Sequence, residues 1–260
     1  MFNAYLFKIY LAGFIPLFFI AFVAWIISLW KRDVSIVDSV WSVFFLAAAT
    51  GFAFKLPFLG PRGLILFTLL GLWAARLSSY ITWRNWGHPE DSRYQTIRQN
   101  NEPNFAWKSL YLVFILQAVL AWIISAPLLV ILASPIPLQW SDVLGIAIML
   151  FGFSFESLAD WQLASFKAKP ENKGSVMDKG LWRYTRHPNY FGEFCVWWGF
   201  FLLAIASGAW VTMISPLIMS FLLLKISGVP MLEKDIIQRR PAYTDYASRT
   251  NAFFPGLPKP

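Results

Sequence analysis

Residues 9–30 read IYLAGFIPLFFIAFVAWIISLW and contain no charged side chain. A helix that crosses a bilayer needs about 20 mostly apolar residues, so this stretch predicts a membrane-spanning helix. It is too long for the apolar region of a secretory signal peptide, and no A-x-A cleavage site follows it. We therefore expect it to stay in the protein as a first span.

Six further stretches are apolar enough to cross, or nearly cross, a membrane. They cover residues 34–54, 63–80, 110–133, 143–165, 191–206 and 210–224, and the last two are short and separated only by residues 207–209. The chain has no internal repeat and no low-complexity tract. This pattern predicts an all-α fold, a polytopic integral membrane bundle of seven transmembrane helices, with residues 1–260 forming a single domain.

The composition excludes several other classes of protein. Of the 260 residues, 57% are hydrophobic and only 14% are charged, whereas soluble domains are about 45–50% apolar and about 25% charged. The lone Cys195 excludes a disulfide scaffold. Since the chain has only two histidines, His88 and His187, in addition to this cysteine, we expect no His/Cys metal site. The common soluble motifs for nucleotides, metallopeptidases and serine hydrolases are also missing.

Basic residues concentrate in the loops on one side of the predicted bundle. Loops 81–107 and 166–190 and the tail from 225 hold most of the 22 lysines and arginines of a chain with net charge +8. Cytoplasmic loops carry such an excess, so we expect the N-terminus outside and the C-terminus in the cytoplasm. The site should therefore face the cytosol, in either a bacterial inner membrane or an endoplasmic reticulum membrane.

Five charged residues fall inside or at the ends of the predicted spans: Asp38, Arg76, Glu156, Asp160 and Glu193. Such residues cost roughly 2.5–3.5 kcal/mol each on insertion scales and usually face a bundle interior or a wet cavity. All five lie in the half of the membrane next to the basic loops. Ion pairing within the bundle would explain any single one, but one arginine cannot neutralise four carboxylates, so we expect a polar site at this depth.

The segment TRHPNYFGE at 185–193 combines charge with a helix start. Pro188 fits a first helical turn, where its missing N–H is harmless. The positive end of the helix dipole would then lie beside Arg186 and His187, an arrangement suited to a pyrophosphate. Tyr190 is the aromatic residue that we expect to touch a ligand, whereas most others fit packing or a membrane-interface belt.

Residues 233–240, at the start of the tail, predict a short amphipathic helix that ends at Pro241. Such a helix can lie on the membrane surface or close over a site. Glu233 and Lys234 at its start are the candidate ligand contacts.

The segment 179–193, KGLWRYTRHPNYFGE, resembles the C-terminal signature of the membrane steroid 5α-reductase and sterol reductase family, in particular its bacterial branch, a domain of unknown function. The resemblance covers roughly 160–254 and extends more loosely to Arg76 and Tyr80. Isoprenylcysteine carboxyl methyltransferases, which use S-adenosylmethionine, share the R-H-P-x-Y-x-G core. The trailing Glu193 and the upstream Asp160 favour the reductases.

The resemblance implies an enzyme that reduces an activated carbon–carbon double bond with NADPH, with the cofactor-binding half at approximately 143–260. By matching position, Asp160 and Lys167 would line the nucleotide end of the cofactor site, and Asn189 and Glu193 would be further contacts. The full set of candidate cofactor contacts is Arg76, Arg84, Arg93, Glu156, Asp160, Lys167, Arg183, Arg186, His187, Asn189, Tyr190, Glu193, Glu233 and Lys234.

The chain departs from the family pattern at three positions. Glu156 stands where the family has an asparagine, and Trp73 falls where the family has the tyrosine that bonds the steroid ketone. Asp38 is the nearest equivalent of that tyrosine's glutamate partner. We therefore expect Asp38 as the proton donor, with Tyr80 or Tyr94 as its hydroxyl partner.

The expected substrate is a hydrophobic lipid or steroid-like molecule that enters from the bilayer, with no nucleic acid and no obligate protein partner. A methyltransferase of the related type would also need a nucleotide-like cofactor, but no proton donor at Asp38. A transporter would carry its charges near the midplane in two matching halves, and the sequence shows neither.

Overall fold

The computed structural model describes residues 4–226, 228–229, 233, 236 and 240–259. Within this part of the chain the fold is all-α, as predicted, with no β-strand. We number the α-helices in chain order: α1 Ala4–Ala12, α2 Phe14–Lys31, α3 Ile36–Lys55, α4 Gly63–Asn85, α5 Ser92–Asn101, α6 Phe105–Ser109, α7 Leu116–Ile124, α8 Ala126–Ala133, α9 Trp140–Lys167, α10 Pro188–Ile205, α11 Ile214–Phe221 and α12 Tyr243–Arg249.

Short segments of other helical types join several of these helices. Leu110–Ile115 and Leu222–Ile226 are π-helical, and Pro170–Asn172, Gly180–Arg183 and Trp210–Met213 are 3-10 turns. The predicted span at 110–133 is therefore not one regular helix. It is interrupted at Ser125, where Pro127 of the next helix cannot donate a backbone hydrogen bond.

Five helical segments of the described chain are long and apolar enough to cross a membrane: Ala4–Lys31, Ile36–Lys55, Gly63–Asn85, Phe105–Ile124 and Trp140–Lys167. These five helices are compatible with a multi-pass membrane protein. The sixth predicted span corresponds to α10, which begins with the polar Asn189 and Glu193 and so has a shorter apolar part. The seventh corresponds to the shorter apolar helix Trp210–Ile226. The seven spans and their orientation stay predictions.

The chain divides into two compact units. Unit 1 contains Met1–Gln139 and Leu203–Ser215, and unit 2 contains Trp140–Leu202 and Pro216–Pro260. The site residues expected from the sequence occur in both units, so each unit is described separately.

Helix α3 lies at the centre of unit 1, where it packs against α2, α4, α7 and α8. The side chains of Phe44, Phe45 and Phe52 on α3 and of Trp73 on α4 are fully buried. Ser42 Oγ donates to the carbonyl of Ala74, 3.0 Å away, which adds a hydrogen bond between α3 and α4. Because lipid tails are as apolar as these side chains, close packing and such hydrogen bonds hold membrane helices together.

The loop before α4 is locked to the segment after α8. Arg62 is fully buried, and its guanidinium donates to the carbonyls of Ile136 at 2.6 Å and Pro137 at 3.1 Å. Gly60 is required here, because an added Cβ would lie 1.8 Å from the carbonyl oxygen of Ser134. A charge that the sequence places at a membrane surface is thus satisfied by backbone carbonyls.

In unit 2, α9 and α10 approach each other through glycines. A Cβ added at Gly152 would lie 2.5 Å from the carbonyl oxygen of Gly192, and one added at Gly192 would lie 2.6 Å from the Cβ of Glu156. Small residues of this kind let membrane helices pack backbone to backbone. The approach brings the acidic face of α9 against the start of α10.

Large apolar side chains are exposed along the candidate spans. They include Ile15 at 68%, Phe19 at 66%, Leu64 at 80% and Val143 at 69% exposed. In a soluble protein such side chains would create aggregation-prone patches, whereas a bilayer solvates them. This pattern agrees with a protein embedded in lipid.

Candidate functional site

A cluster of polar side chains forms in unit 1 around Asp38, near the start of α3. Tyr94 donates its phenolic proton to Oδ1 of Asp38 over 2.5 Å, and Arg93 Nη2 donates to Oδ2 over 2.7 Å. Gln117 on α7 donates to the Tyr94 hydroxyl at 3.1 Å. Asp91 completes the set by accepting from Arg93 Nε at 2.9 Å. We call Asp38, Asp91, Arg93, Tyr94 and Gln117 the acid–tyrosine cluster.

Helix α5 positions two members of this cluster. Asp91 is the N-cap of α5 and accepts from the backbone N–H of Arg93, which satisfies one of the free donors of the first turn. Arg93 and Tyr94 therefore lie in a fixed first turn, and Tyr94 is buried. The sequence predicted only a long loop in this region.

Some members of the acid–tyrosine cluster lie outside the candidate membrane spans. Burial and the charges of the cluster shift the pKa values of these members. Burial and the neighbouring Asp38 carboxylate raise the pKa of Tyr94 well above its usual value. Burial disfavours the charged form of Arg93, but Asp38 and Asp91 prevail and raise its pKa. Burial likewise opposes ionisation of Asp91, yet the hydrogen bond from Arg93 lowers its pKa.

Tyr80, the alternative partner of Asp38, has other neighbours. The guanidinium of Arg76 lies 5.3 Å from the centre of the Tyr80 ring, and that of Arg84 lies 6.0 Å from it. Both distances are typical of cation–π contacts. The hydroxyl bonded to Asp38 is that of Tyr94.

In unit 2 the predicted acids line the close approach of α9 and α10. Glu156 and Asp160 are one helical turn apart on α9 and are buried, and Glu193 on α10 is also buried. Asn189 Nδ2 donates to Oδ1 of Asp160 at 3.2 Å, which joins the two helices. We call Glu156, Asp160, Asn189 and Glu193 the α9–α10 polar seam. The i, i+4 spacings predicted that Glu156 and Asp160 share one face of α9 and that Asn189 and Glu193 share one face of α10, but not that these two faces meet.

The start of α10 is organised by its own side chains. Asn189 Oδ1 accepts from the backbone N–H of Tyr190 at 3.1 Å. The rings of His187 and Tyr190 are nearly parallel, at 7°, with centres 5.6 Å apart. His187 is buried and Tyr190 is half-buried, so Tyr190 offers the more accessible aromatic face.

Arg186 and His187 bind an internal anion, the carboxylate of Glu233. Arg186 donates to it through Nε at 2.7 Å and Nη2 at 2.9 Å, and His187 Nε2 lies 3.0 Å from Glu233 Oε1. Burial opposes ionisation of Glu233, but the hydrogen bonds from His187 and Arg186 lower its pKa to about 2. Nη1 of Arg186 also donates to the carbonyls of Ala247 and Thr250. These contacts tie the tail to the loop before α10.

The remaining candidates lie at the surface of unit 2 or outside the described residues. Lys167, the last residue of α9, and Arg183 are exposed. Lys167 borders a depression of about 360 Å³ that Lys169, Lys173 and Arg240 also line. Lys234 lies outside the described residues.

Three polar residues were missed by the sequence analysis. Asp91 and Gln117 belong to the acid–tyrosine cluster, and Arg240 lines the basic depression. Asp91 had a signal, since an aspartate before a polar helical stretch is a preferred N-cap. Gln117 had a weaker one, as an uncharged polar residue within an apolar span.

The acid–tyrosine cluster and the α9–α10 polar seam differ in the chemical groups that they offer. The acid–tyrosine cluster offers a buried phenol that donates its proton to a carboxylate. The α9–α10 polar seam offers carboxylate and amide groups next to the half-buried ring of Tyr190. The fold and these clusters define a helical membrane protein with buried polar sites. Residues 24–250 match the family described as protein of unknown function, DUF1295, so the chain belongs to that family.

A relative from Schizosaccharomyces pombe (strain 972 / ATCC 24843) is similar over nearly the whole chain. It is described as an uncharacterized protein and is 25% identical over 286 residues, covering 95% of this chain and 80% of the relative. No solved structure matches the chain.

Proposed function

We propose that this protein is an NADPH-dependent membrane oxidoreductase, similar to the steroid 5α-reductases, that reduces the activated C=C bond of a hydrophobic enone. The observation that supports this most is the hydrogen bond between Tyr94 and Asp38. It supplies the hydroxyl–carboxylate pair that the reaction needs, although Trp73 replaces the tyrosine of the family pattern.

The chemistry requires a donor at the substrate carbonyl. When a hydride adds to the β-carbon of an enone, negative charge builds on the carbonyl oxygen and a strong hydrogen-bond donor stabilises the enolate. Tyr94 has a single hydroxyl proton, which it donates to Asp38 in this structure. In the proposed reaction that proton turns from Asp38 to the substrate carbonyl and ends on the product. Solvent then restores the proton of Tyr94, so the overall reaction adds one hydride and one proton.

The raised pKa of Tyr94 fits this role. A phenol with a raised pKa stays protonated at neutral pH and donates a hydrogen bond, and it releases its proton only to a strong base such as an enolate. Asp38 and Gln117 orient the hydroxyl, and Arg93 holds Asp38 in place. In this proposal Asp38 positions the hydroxyl of Tyr94, and Tyr94 takes the place of Asp38 as the expected proton donor.

The α9–α10 polar seam and its surroundings fit a dinucleotide. Asp160 and Asn189 would hold the polar groups of the cofactor, Tyr190 would offer a ring for stacking, and Lys167 would suit a 2′-phosphate. NADPH bound there would supply the hydride. Arg186, His187 and Glu233 would act on this site through the tail that they anchor.

The substrate enters from the bilayer and the cofactor from the cytosol. The exposed apolar side chains of the candidate spans and the expected cytoplasmic position of the basic loops support this proposal. The host is a bacterial inner membrane or an endoplasmic reticulum membrane.

The proposal is tested by following NADPH oxidation at 340 nm with purified protein in lipid vesicles. The substrates are a 3-oxo-4-ene steroid, a fatty enone and an isoprenoid enone. Tyr94→Phe should lower kcat by about 10²–10⁴-fold, the usual contribution of a positioned acid, while NADPH binding is retained. The matched control is Tyr111→Phe, since Tyr111 is 56% exposed. A Tyr94→Phe protein with the normal rate would contradict the role of Tyr94.

A further inference from the structure

The chain reverses direction directly after α9 through a compact basic hairpin, residues 166–174. One side of this hairpin borders the depression of about 360 Å³ lined by Lys167, Lys169, Lys173 and Arg240. A second depression of similar volume is lined by Ser165, Glu171 and Lys179 and shares Phe166, Lys169 and Asn172 with the first. Cavities of this size suit small ligands or headgroups.

The basic hairpin is held by its own hydrogen bonds. Asn172 Nδ2 donates to the carbonyl of Phe166 at 2.8 Å, and the backbone N–H of Lys173 donates to the carbonyl of Pro170 at 3.1 Å. Gly174 follows with φ +85°, a conformation that favours glycine. The lysine backbones are therefore fixed before any ligand binds, which lowers the entropy cost of binding.

Arg240 reaches the depression from a distant part of unit 2. Its Nη1 donates to the carbonyl of Ser175 at 2.6 Å, so its guanidinium is fixed beside the hairpin. A helix dipole favours cations in the last turn of a helix, which explains Lys167. It does not explain Lys169 and Lys173, which lie beyond the helix, or an arginine from another segment.

The depression also lies at a membrane boundary. Lys167 is the last residue of a candidate span, so the hairpin begins where the apolar segment ends. The cations around it outnumber the carboxylates of Glu171 and Asp178, and Asp178 lies 3.9 Å from Arg249. Lipid phosphates are the anions present at this depth, and basic residues near such a surface attract them.

We propose that the basic hairpin and Arg240 form a binding site for the phosphate headgroup of an anionic membrane lipid. The lipid phosphate lies between Lys169, Lys173 and Arg240, and its acyl chains lie along the apolar surface of unit 2. Lys167 lines the same depression, and because it is proposed to bind the nucleotide, it is not counted among the lipid contacts.

The test titrates dihexanoyl-phosphatidylglycerol into the detergent-solubilised full chain by calorimetry, with dihexanoyl-phosphatidylcholine as the neutral comparison. We expect the anionic lipid to bind at least tenfold more tightly. Lys169→Glu/Lys173→Glu should weaken it on the order of 30-fold, because each basic side chain near an anionic surface contributes roughly fivefold. Lys167 is left unchanged, since it is proposed to bind the nucleotide.

The matched control is Lys8→Glu/Lys55→Glu, which changes the net charge equally at two exposed lysines of unit 1. This control should bind the anionic lipid within about threefold of the unchanged protein. Equal binding of the two lipids, or equal loss in both double variants, would overturn the proposal.

Inorganic phosphate and 2′,5′-ADP are titrated in parallel. If either displaces the anionic lipid and binds more tightly, the site takes soluble phosphates, and the lipid proposal is wrong. Binding of NADPH by the same variants separates this result from any failure of the reductase proposal. Unchanged melting temperatures establish that the variants are folded.

Discussion

Replacing Glu233 with glutamine should release the tail segment 243–256 from the loop before α10. The Glu233 carboxylate accepts two hydrogen bonds from Arg186, at 2.7 and 2.9 Å, and lies 3.0 Å from His187 Nε2. Arg186 in turn donates to the carbonyls of Ala247 and Thr250. Glutamine lacks the charge and presents an NH₂ group to one of the donors, so the whole connection weakens.

The expected loss is about 2 kcal/mol. The pKa of Glu233 falls from its usual 4.5 to about 2, which corresponds to about 3 kcal/mol at about 1.4 kcal/mol per pH unit. Because the carboxylate is partly exposed, solvent screening reduces this figure to about 2 kcal/mol. A loss of that size increases local opening of the tail about 30-fold.

The pH dependence has a definite sign. Because folding lowers the pKa of Glu233, the stabilisation is complete above pH 4.5 and disappears as the pH falls towards 2. Hydrogen exchange of the 243–256 amides, corrected for intrinsic rates, measures the local opening. The unchanged protein should show about 30-fold slower exchange than Glu233→Gln at pH 7, and the two should converge between pH 4.5 and 2.

Two results would refute this reasoning. One is equal protection of the tail in both proteins at pH 7, and the other is a difference that persists unchanged to pH 2.5. Glu171→Gln is the matched control, because Glu171 is an exposed carboxylate of the same unit, and it should leave tail exchange unchanged.

Three further substitutions test other parts of the account. Gly192→Ala should lower the melting temperature by several degrees, because the added Cβ would lie 2.6 Å from the Cβ of Glu156. Gly71→Ala is the control and should leave the melting temperature unchanged, because its Cβ would meet nothing within 4 Å. Equal melting temperatures of the two variants would contradict the close packing of α9 and α10. Asp38→Asn should abolish turnover but leave NADPH binding intact, because the amide cannot accept from both Tyr94 and Arg93; a normal rate would exclude the positioning role. Lys167→Ala should weaken binding of NADPH about tenfold more than of NADH, and equal loss would point to a structural role.

Sequence reasoning predicted the elements that depend on local pattern. The apolar runs predicted the helical class and the five long spans. The i, i+4 spacings predicted that Glu156 and Asp160 lie one turn apart on one helix face, and that Asn189 and Glu193 do the same on theirs. The sequence did not reveal that glycines bring these two helices together, because backbone approach depends on which helix faces are paired in three dimensions.

The choice between Tyr80 and Tyr94 required the tertiary structure. Tyr94 belongs to a ten-residue helix within a predicted loop, and Asp91 caps that helix. Tyr94 reaches Asp38 on α3 and Gln117 on α7 through side-chain hydrogen bonds between distant parts of the chain, which no local pattern reveals. Similarly, a sequence pattern identified Arg186 and His187 as an anion site, but did not reveal that the anion beside them is Glu233, more than forty positions away.

The central claim is most directly tested by measuring which cofactor the purified protein binds. Calorimetric titration and mass spectrometry of the co-purifying small molecules are carried out on the full chain in detergent, with Asp160→Asn as the variant. The account predicts saturable NADPH binding that Asp160→Asn weakens about tenfold or more, together with co-purifying NADP(H). Binding of S-adenosylmethionine without NADPH, or co-purifying S-adenosylhomocysteine, would contradict the reductase and indicate a methyltransferase.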